Sequence, residues 1–249
     1  MIRLENISKI YNPGTAAAVI ALKDVSLIIK NKEFVTLIGV NGSGKSTLLN
    51  LLAGTNKPDS GKIFISEEEV NDLPEHRRCR WIARVFQNPL AGTASELSIL
   101  ENFRLASIRT KSKSLKTGTD AAFRNLVKEK ISYLGLGLEN KIEQPMGTLS
   151  GGQRQALTLI MAIMDDAEIL LLDEPTAALD PRTAGLIMQI ADDLISKFQL
   201  TAILVTHNLK DAVNYGTRII QMNDAMIARD VLKSEKPGLS INNVYDWFD

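Results

Sequence analysis

Gly39-Val40-Asn41-Gly42-Ser43-Gly44-Lys45-Ser46, followed by Thr47, gathers glycines, one lysine and hydroxyls around the start of a Leu-rich stretch. The spacing fits G-x-x-x-x-G-K-[ST], a loop whose glycines let successive backbone N–H groups turn toward phosphate oxygens. A helix N-terminus directly after it adds the positive end of its dipole. Lys45 is then expected to set a point charge on the β- and γ-phosphates of ATP, and the Ser46 hydroxyl to ligate Mg²⁺. Asp173 and Glu174 end the aliphatic run Ile169-Leu170-Leu171-Leu172. They divide naturally into a metal-side carboxylate, Asp173, and a carboxylate that polarises the attacking water, Glu174. In Leu149-Ser150-Gly151-Gly152-Gln153 the glycines permit close backbone approach and Ser150 offers a hydroxyl at a predicted helix N-terminus, both suited to a γ-phosphate.

Positioning these groups requires strands that end where the loops begin. Strands are predicted at Ile2–Ile7, Val25–Ile29, Phe34–Ile38, Lys62–Ile65, Ile169–Leu172, Ile203–Val205 and Ile219–Met222. A helix is predicted to begin at Lys45 and to close at Ala53-Gly54, where glycine can cap it. Between 89 and 145 the pattern changes to helical periodicity, with Leu97, Leu100, Phe103 and Leu105, then Phe123, Leu126, Val127, Ile131 and Leu134. This segment is expected to be a helical subdomain inserted into one domain whose core is about 1–88 and 146–249. The fold class is α/β. The basic, Ser/Thr-rich stretch Arg109–Thr119 reads as an exposed loop, with contact to a partner or lipid headgroups as the alternative.

Composition narrows the function. Lysine plus arginine and aspartate plus glutamate number 29 each, so no broad charge asks for nucleic acid or an anionic membrane. Cys79 is the single cysteine, which points to a reducing compartment and a structural thiol. No charged-then-apolar leader opens the chain, and no apolar run reaches the roughly 18 residues of a membrane span. Membranes are therefore expected to matter through a partner.

LSGGQ about twenty residues before an aliphatic strand ending in Asp-Glu, downstream of a phosphate loop, resembles the ATP-binding-cassette (ABC) ATPases over essentially the whole chain. The resemblance implies a P-loop NTPase core of ABC type with an N-terminal antiparallel β subdomain and a helical subdomain. It implies that Gln87 contacts metal and water, that His207 is a switch histidine near the γ-phosphate, and that Tyr11 stacks on adenine. An ordinary half-buried strand aromatic is the other reading of Tyr11. Ala178-Leu179-Asp180 matches a loop touching the opposite subunit, with Ala178 where the family often has Ser. Ser150, Gly151, Gly152 and Gln153 are implied to face ATP held by a second copy, so that nucleotide glues a head-to-tail homodimer. His76, in a polar helical-looking stretch, is given no role.

Two functions fit. One is the separate ATPase subunit of a membrane transporter, peripheral on the cytoplasmic face of the inner membrane and docked on integral permease subunits. The other is a soluble ABC ATPase of cofactor assembly. Phe86–Thr93 and Ile99–Asn102 resemble uptake-type subunits, which implies an extracytoplasmic substrate-binding protein as a further partner and no nucleic acid. Asn88–Thr93 and Leu134–Leu138 resemble cassettes paired with binding proteins for tryptophan or tyrosine, although Pro175 stands where that subgroup carries His.

Overall fold

The computed structural model describes residues 1–110, 118–165 and 167–248. Most of the basic stretch expected as a loop, 111–117, lies outside the described residues.

The N-terminal strands β1 (Ile2–Tyr11) and β2 (Val19–Ile29) pair antiparallel. Strand β3 (Phe34–Gly39) leads into helix α1 (Lys45–Ala53), which Gly54 closes in the left-handed conformation, as the sequence predicts. Next come β4 (Ser60–Ile65), β5 (Glu68–Glu69), α2 (Glu75–Arg78) and β6 (Ile82–Val85). Helices α3 (Ile99–Ala106), α4 (Ala121–Ser132) and α5 (Gly151–Ala162) precede β7 (Ile169–Asp173). The chain continues through α6 (Pro181–Phe198), β8 (Thr201–Val205), α7 (Leu209–Asn214), β9 (Arg218–Asn223), β10 (Met226–Val231) and α8 (Ile241–Tyr245).

The strands form an antiparallel sheet in the order β2-β1-β4-β5 and a larger sheet in the order β10-β9-β3-β8-β7-β6. From β9 to β6 the larger sheet is parallel, and β10 adds an antiparallel edge. Parallel strands covered on both faces should be apolar at every position, and β7 is so from Ile169 to Leu172, before its terminal Asp173. Ile169 and Leu171 join the core shared with α1 and the antiparallel sheet, whereas Leu170 and Leu172 join the core under α3, α5 and α6. The same alternation runs through β6, with Ile82 on the α1 side and Ala83 and Val85 on the other.

Two expected strands are longer than predicted. Asn6 (φ 52°) lies within the predicted Ile2–Ile7 and Lys23-Asp24 (Asp24 φ 50°) looks like a terminator before Val25, yet the register of β1 with β2 shifts around them and pairing resumes. They form a bulge, held by Asn6 Nδ2 donating to Asp24 Oδ1 at 2.8 Å. In α3 the buried positions are Ile99, Leu100, Asn102 and Phe103; Leu97 precedes the helix and Leu105 is exposed. A Ser98–Glu101 capping box fixes that start.

Candidate functional site

The phosphate loop leaves the carboxyl end of β3. Gly44 caps α1 at φ 102°, and a Cβ there would overlap the backbone oxygen of Ala21 and lie 2.9 Å from Leu22 Cδ2. Backbone angle and packing both exclude a side chain. Lys45 is buried at the first turn of α1, its Nζ donating to the carbonyls of Gly39 and Val40 at 2.9 Å each. Burial lowers its pKa, and the charges of Glu174 and then Asp173 act against that fall. The two carboxylates are thus within electrostatic reach of the loop lysine.

They reach it across a strand. β8 lies between β3 and β7, so Asp173 and Glu174 approach past the end of the strand that carries Thr206 and His207. Asp173 keeps the alternation of β7 and emerges on the α1 side, where Arg84 Nη2 meets its Oδ2 at 2.6 Å. Glu174 departs from it at φ 48°, with its N–H donating to the Val205 carbonyl at 3.0 Å. Its Oε1 lies 2.8 Å from Nε2 of His207, whose side chain is 41% exposed. One left-handed residue therefore sends adjacent acids to different partners.

A cavity of about 240 Å³ is lined by Tyr11, Val19, Ala21, Asn41, Gly42, Gly44, Lys45, Ser46, Thr47, Glu174 and His207. Tyr11 is half-buried and its hydroxyl accepts from Asn56 Nδ2 at 2.8 Å. Ser43 Oγ is buried without a hydrogen-bond partner. The donor set suits a nucleotide with a hard cation: a lysine, the oxygens of Ser46 and Asp173, and a loop with an unpaired hydroxyl beneath it. A larger cavity of about 600 Å³, lined by Leu126, Lys130, Phe198 and Thr201 among others, holds none of the expected site residues.

The remaining expected residues lie outside the 240 Å³ cavity. Gln87 is exposed beyond β6, and Gln155 Nε2 of α5 donates to the preceding carbonyl, Phe86 O, at 3.3 Å. Ser150 caps α5: its Oγ accepts from Gln153 N, and Gln153 Oε1 accepts from Ser150 N, both at 3.2 Å. S-x-x-Q at 150–153 is thus a capping box legible in the residue types themselves. Gly151 is exposed, but Gly152 is buried, and its close approach is to Thr183 of α6 rather than to solvent. Asp180 caps α6, accepting from Arg182 N and Thr183 N at 3.1 Å, and hydrogen bonds to Thr183 lead the causes that lower its pKa. Residues absent from the sequence reading also act here. Arg84 pairs with Asp173, and Arg154 holds the turn that leads into Ser150 through the carbonyls of Met146, Gly147 and Leu149.

A phosphate loop facing a carboxylate–histidine pair across a parallel sheet, together with an LSGGQ segment whose Ser150 caps a helix outside that cavity, defines an ATP-binding-cassette ATPase. Residues 22–177 match the ABC transporter family model, and the chain belongs to that family, whose cassettes hydrolyse ATP. It is 35% identical over 249 residues to a tyrosine transport ATP-binding protein of Clostridioides difficile, covering all of this chain and 99% of that one. It is 36% identical over 238 residues to an uncharacterized ABC transporter ATP-binding protein of Methanocaldococcus jannaschii, covering 92% and 96% of the two chains. The solved dimer of that archaeal cassette in a post-hydrolysis state, bound to ADP and Pi, superposes with a TM-score of 0.80 at 34% identity. The superposition covers 94% of this chain and 99% of that one. No described helix of this chain is long and apolar enough to cross a membrane.

Proposed function

We propose that the chain is the ATP-hydrolysing subunit of a membrane importer for a small solute, closing as a homodimer around two ATP molecules. The observation that carries this reading is the meeting of Lys45, Glu174 and His207, from three separate strand ends, around one cavity. Supporting it are the dimeric ADP-bound relative and the full-length similarity to a subunit named for tyrosine transport. An aromatic amino acid is accordingly the proposed cargo.

In this reading Tyr11 stacks on adenine, and the loop Gly39–Thr47 with Lys45 cradles the phosphates. Ser46, Asp173 and Gln87 would hold Mg²⁺, which when bound neutralises charge on the β- and γ-phosphate oxygens. Glu174 accepts a proton from the attacking water as its oxygen bonds to the γ-phosphorus. The bond to the β–γ bridging oxygen breaks, giving ADP and inorganic phosphate. His207 orients Glu174 and donates to the γ-phosphate. Ser150, Gly151, Gly152 and Gln153 serve the ATP bound by the second copy, with Asp180 at the same interface. This accounts for the exposure of Ser150, Gly151 and Asp180, which accompany a cavity they do not line.

The proposed helical subdomain, about 89–145, receives integral permease subunits at the cytoplasmic face of the inner membrane. An extracytoplasmic binding protein delivers the solute. Closure of the dimer would swing the two subdomains and turn the permease from one facing to the other. Glu174→Gln protein is expected to bind ATP, hydrolyse almost none and run as a dimer by light scattering. A monomer under saturating ATP would refute the closure mechanism. Recovery of soluble assembly factors instead of a polytopic membrane protein, on purification from solubilised native membranes, would refute the transport role.

A further inference from the structure

We propose that Arg84 is a positioning residue for the metal-side carboxylate: it fixes Asp173 against helix α1, so that Asp173 and Ser46 present their oxygens at a set separation. The inference rests on the reading of Asp173 and Ser46 as metal ligands.

An arginine in this strand needs a reason. Its neighbours Ile82, Ala83 and Val85 are buried, and an apolar residue would continue β6 without desolvating a charge. Arg84 instead falls on the α1 side of the sheet, as does Asp173 on the adjacent parallel strand, where Arg84 is in register with Leu171. Both side chains are nearly covered, at 12% and 13% exposure.

Arg84 Nη2 lies 2.6 Å from Asp173 Oδ2, and Nη1 donates to Asn50 Oδ1 at 2.7 Å. Asn50 stands four positions after Ser46 on α1, one turn along the same helix face. The guanidinium fork therefore ties Asp173 to the face that carries Ser46. Its Nε is buried without a partner, so the terminal nitrogens carry the polar restraint. The Phe86 ring, 4.9 Å from Cζ, limits the group's remaining movement. With Oδ2 held by Arg84, Oδ1 is the oxygen left for a metal. This is the arrangement by which outer partners orient ligating carboxylates, and loss of such a partner typically costs 10- to 100-fold in metal affinity.

The test uses the full chain and a fluorescent ATP analogue, titrated with Mg²⁺ and separately in EDTA. Arg84→Met is expected to raise the Mg²⁺ concentration for half-maximal tightening of nucleotide binding by about tenfold, with binding in EDTA unchanged. Arg84→Lys, which keeps the charge but not the fork, and Asn50→Ala, which removes one anchor, are expected to shift it in the same direction by less. Those two variants decide the matter if Arg84→Met does not fold. An unmoved or tighter Mg²⁺ dependence in folded variants overturns the proposal, as does full retention by Arg84→Lys. Asp173→Asn separates the two readings. If it too leaves the Mg²⁺ dependence unmoved, the metal-side reading of Asp173 fails; if it shifts while Arg84→Met does not, only the role of Arg84 fails.

Discussion

Replacing Arg78 with methionine is expected to destabilise the chain by about 3 kcal/mol, although Arg78 is remote from the chemistry. Its side chain is 1% exposed and donates to five carbonyls. Nη1 reaches Leu51 O and Leu52 O at 2.5 and 3.0 Å, Nε reaches Leu73 O at 2.8 Å, and Nη2 reaches Val70 O at 2.6 Å. Its 3.4 Å contact to Asn71 O is too long to count for much. The first two acceptors belong to the last turn of α1, where carbonyls have no partner within the helix. Val70 O also accepts from Leu73 N, so methionine would orphan mainly Leu51, Leu52 and Leu73. At ~2 kcal/mol for each buried carbonyl left unpaired, the loss is ~6 kcal/mol. Against it stands the desolvation of the guanidinium, which pulls its pKa down to about 10. Methionine escapes that cost, of order 3 kcal/mol. The difference, about 3 kcal/mol, corresponds to a fall of roughly 6–12 °C in Tm for a chain of this size. Urea denaturation followed by circular dichroism measures it. A loss below about 1 kcal/mol would refute the reasoning, since the orphaned carbonyls would then have found other donors.

Lys45→Ala should weaken ATP binding by roughly 10- to 100-fold, the worth of one charged hydrogen bond; equilibrium binding with unchanged affinity would remove Lys45 from the phosphates. His207→Ala should cut steady-state ATP hydrolysis by about 10²- to 10³-fold while ATP affinity is kept, and unchanged turnover would leave the histidine without a role. Lys236 is buried, with Nζ donating to the carbonyls of Tyr215 and Gly216, and burial lowers its pKa to about 8. Above that value the unfolded chain binds more protons than the folded one, so the desolvation penalty, fully present below about pH 8, is relieved as pH rises. Wild-type stability should therefore gain on Lys236→Met between about pH 8 and 10; parallel urea midpoints across that range would refute it.

How legible the molecule is from its sequence depends on whether a residue's role is local. Gly44, Lys45 and Gly54 announce themselves because turn, helix start and helix end are decided within a few positions. The ends of β7 and β8 are readable because an aliphatic run must stop where a polar residue begins. The length of β2 is not, because Lys23-Asp24 carries terminator chemistry that the paired strand absorbs as a bulge. The interposition of β8 between β3 and β7 is equally invisible, since strand order is set by packing across the sheet. Arg84 and Arg78 are missed for a related reason. A charged residue near apolar ones looks like a surface position until the partners arriving from α1, β7 and the 70–73 segment are known.

The reactive groups are held by one another before any phosphate need hold them. Lys45 rests on the carbonyls of its own loop, Glu174 on His207, Asp173 on Arg84, and Ser150 on Gln153. For Lys45, nucleotide binding is then an exchange of partners, which avoids the several kcal/mol that an unpaired buried charge would cost, while Asp173 and Glu174 keep theirs. What separates the two acids is a single dihedral. Had Glu174 kept the extended backbone of β7, alternation would have turned it toward the core under α3 and α5, where Leu170 and Leu172 lie. At φ 48° it turns to His207 instead, at a conformational cost of about 1–2 kcal/mol. A glycine would relieve that cost and discard the carboxylate. The strain persists because the Glu174 N–H is tied to Val205 and its side chain to His207, both delivered by β8 and the turn after it. The strand that keeps β7 from touching β3 is thus the one that aims its last acid at the phosphate loop.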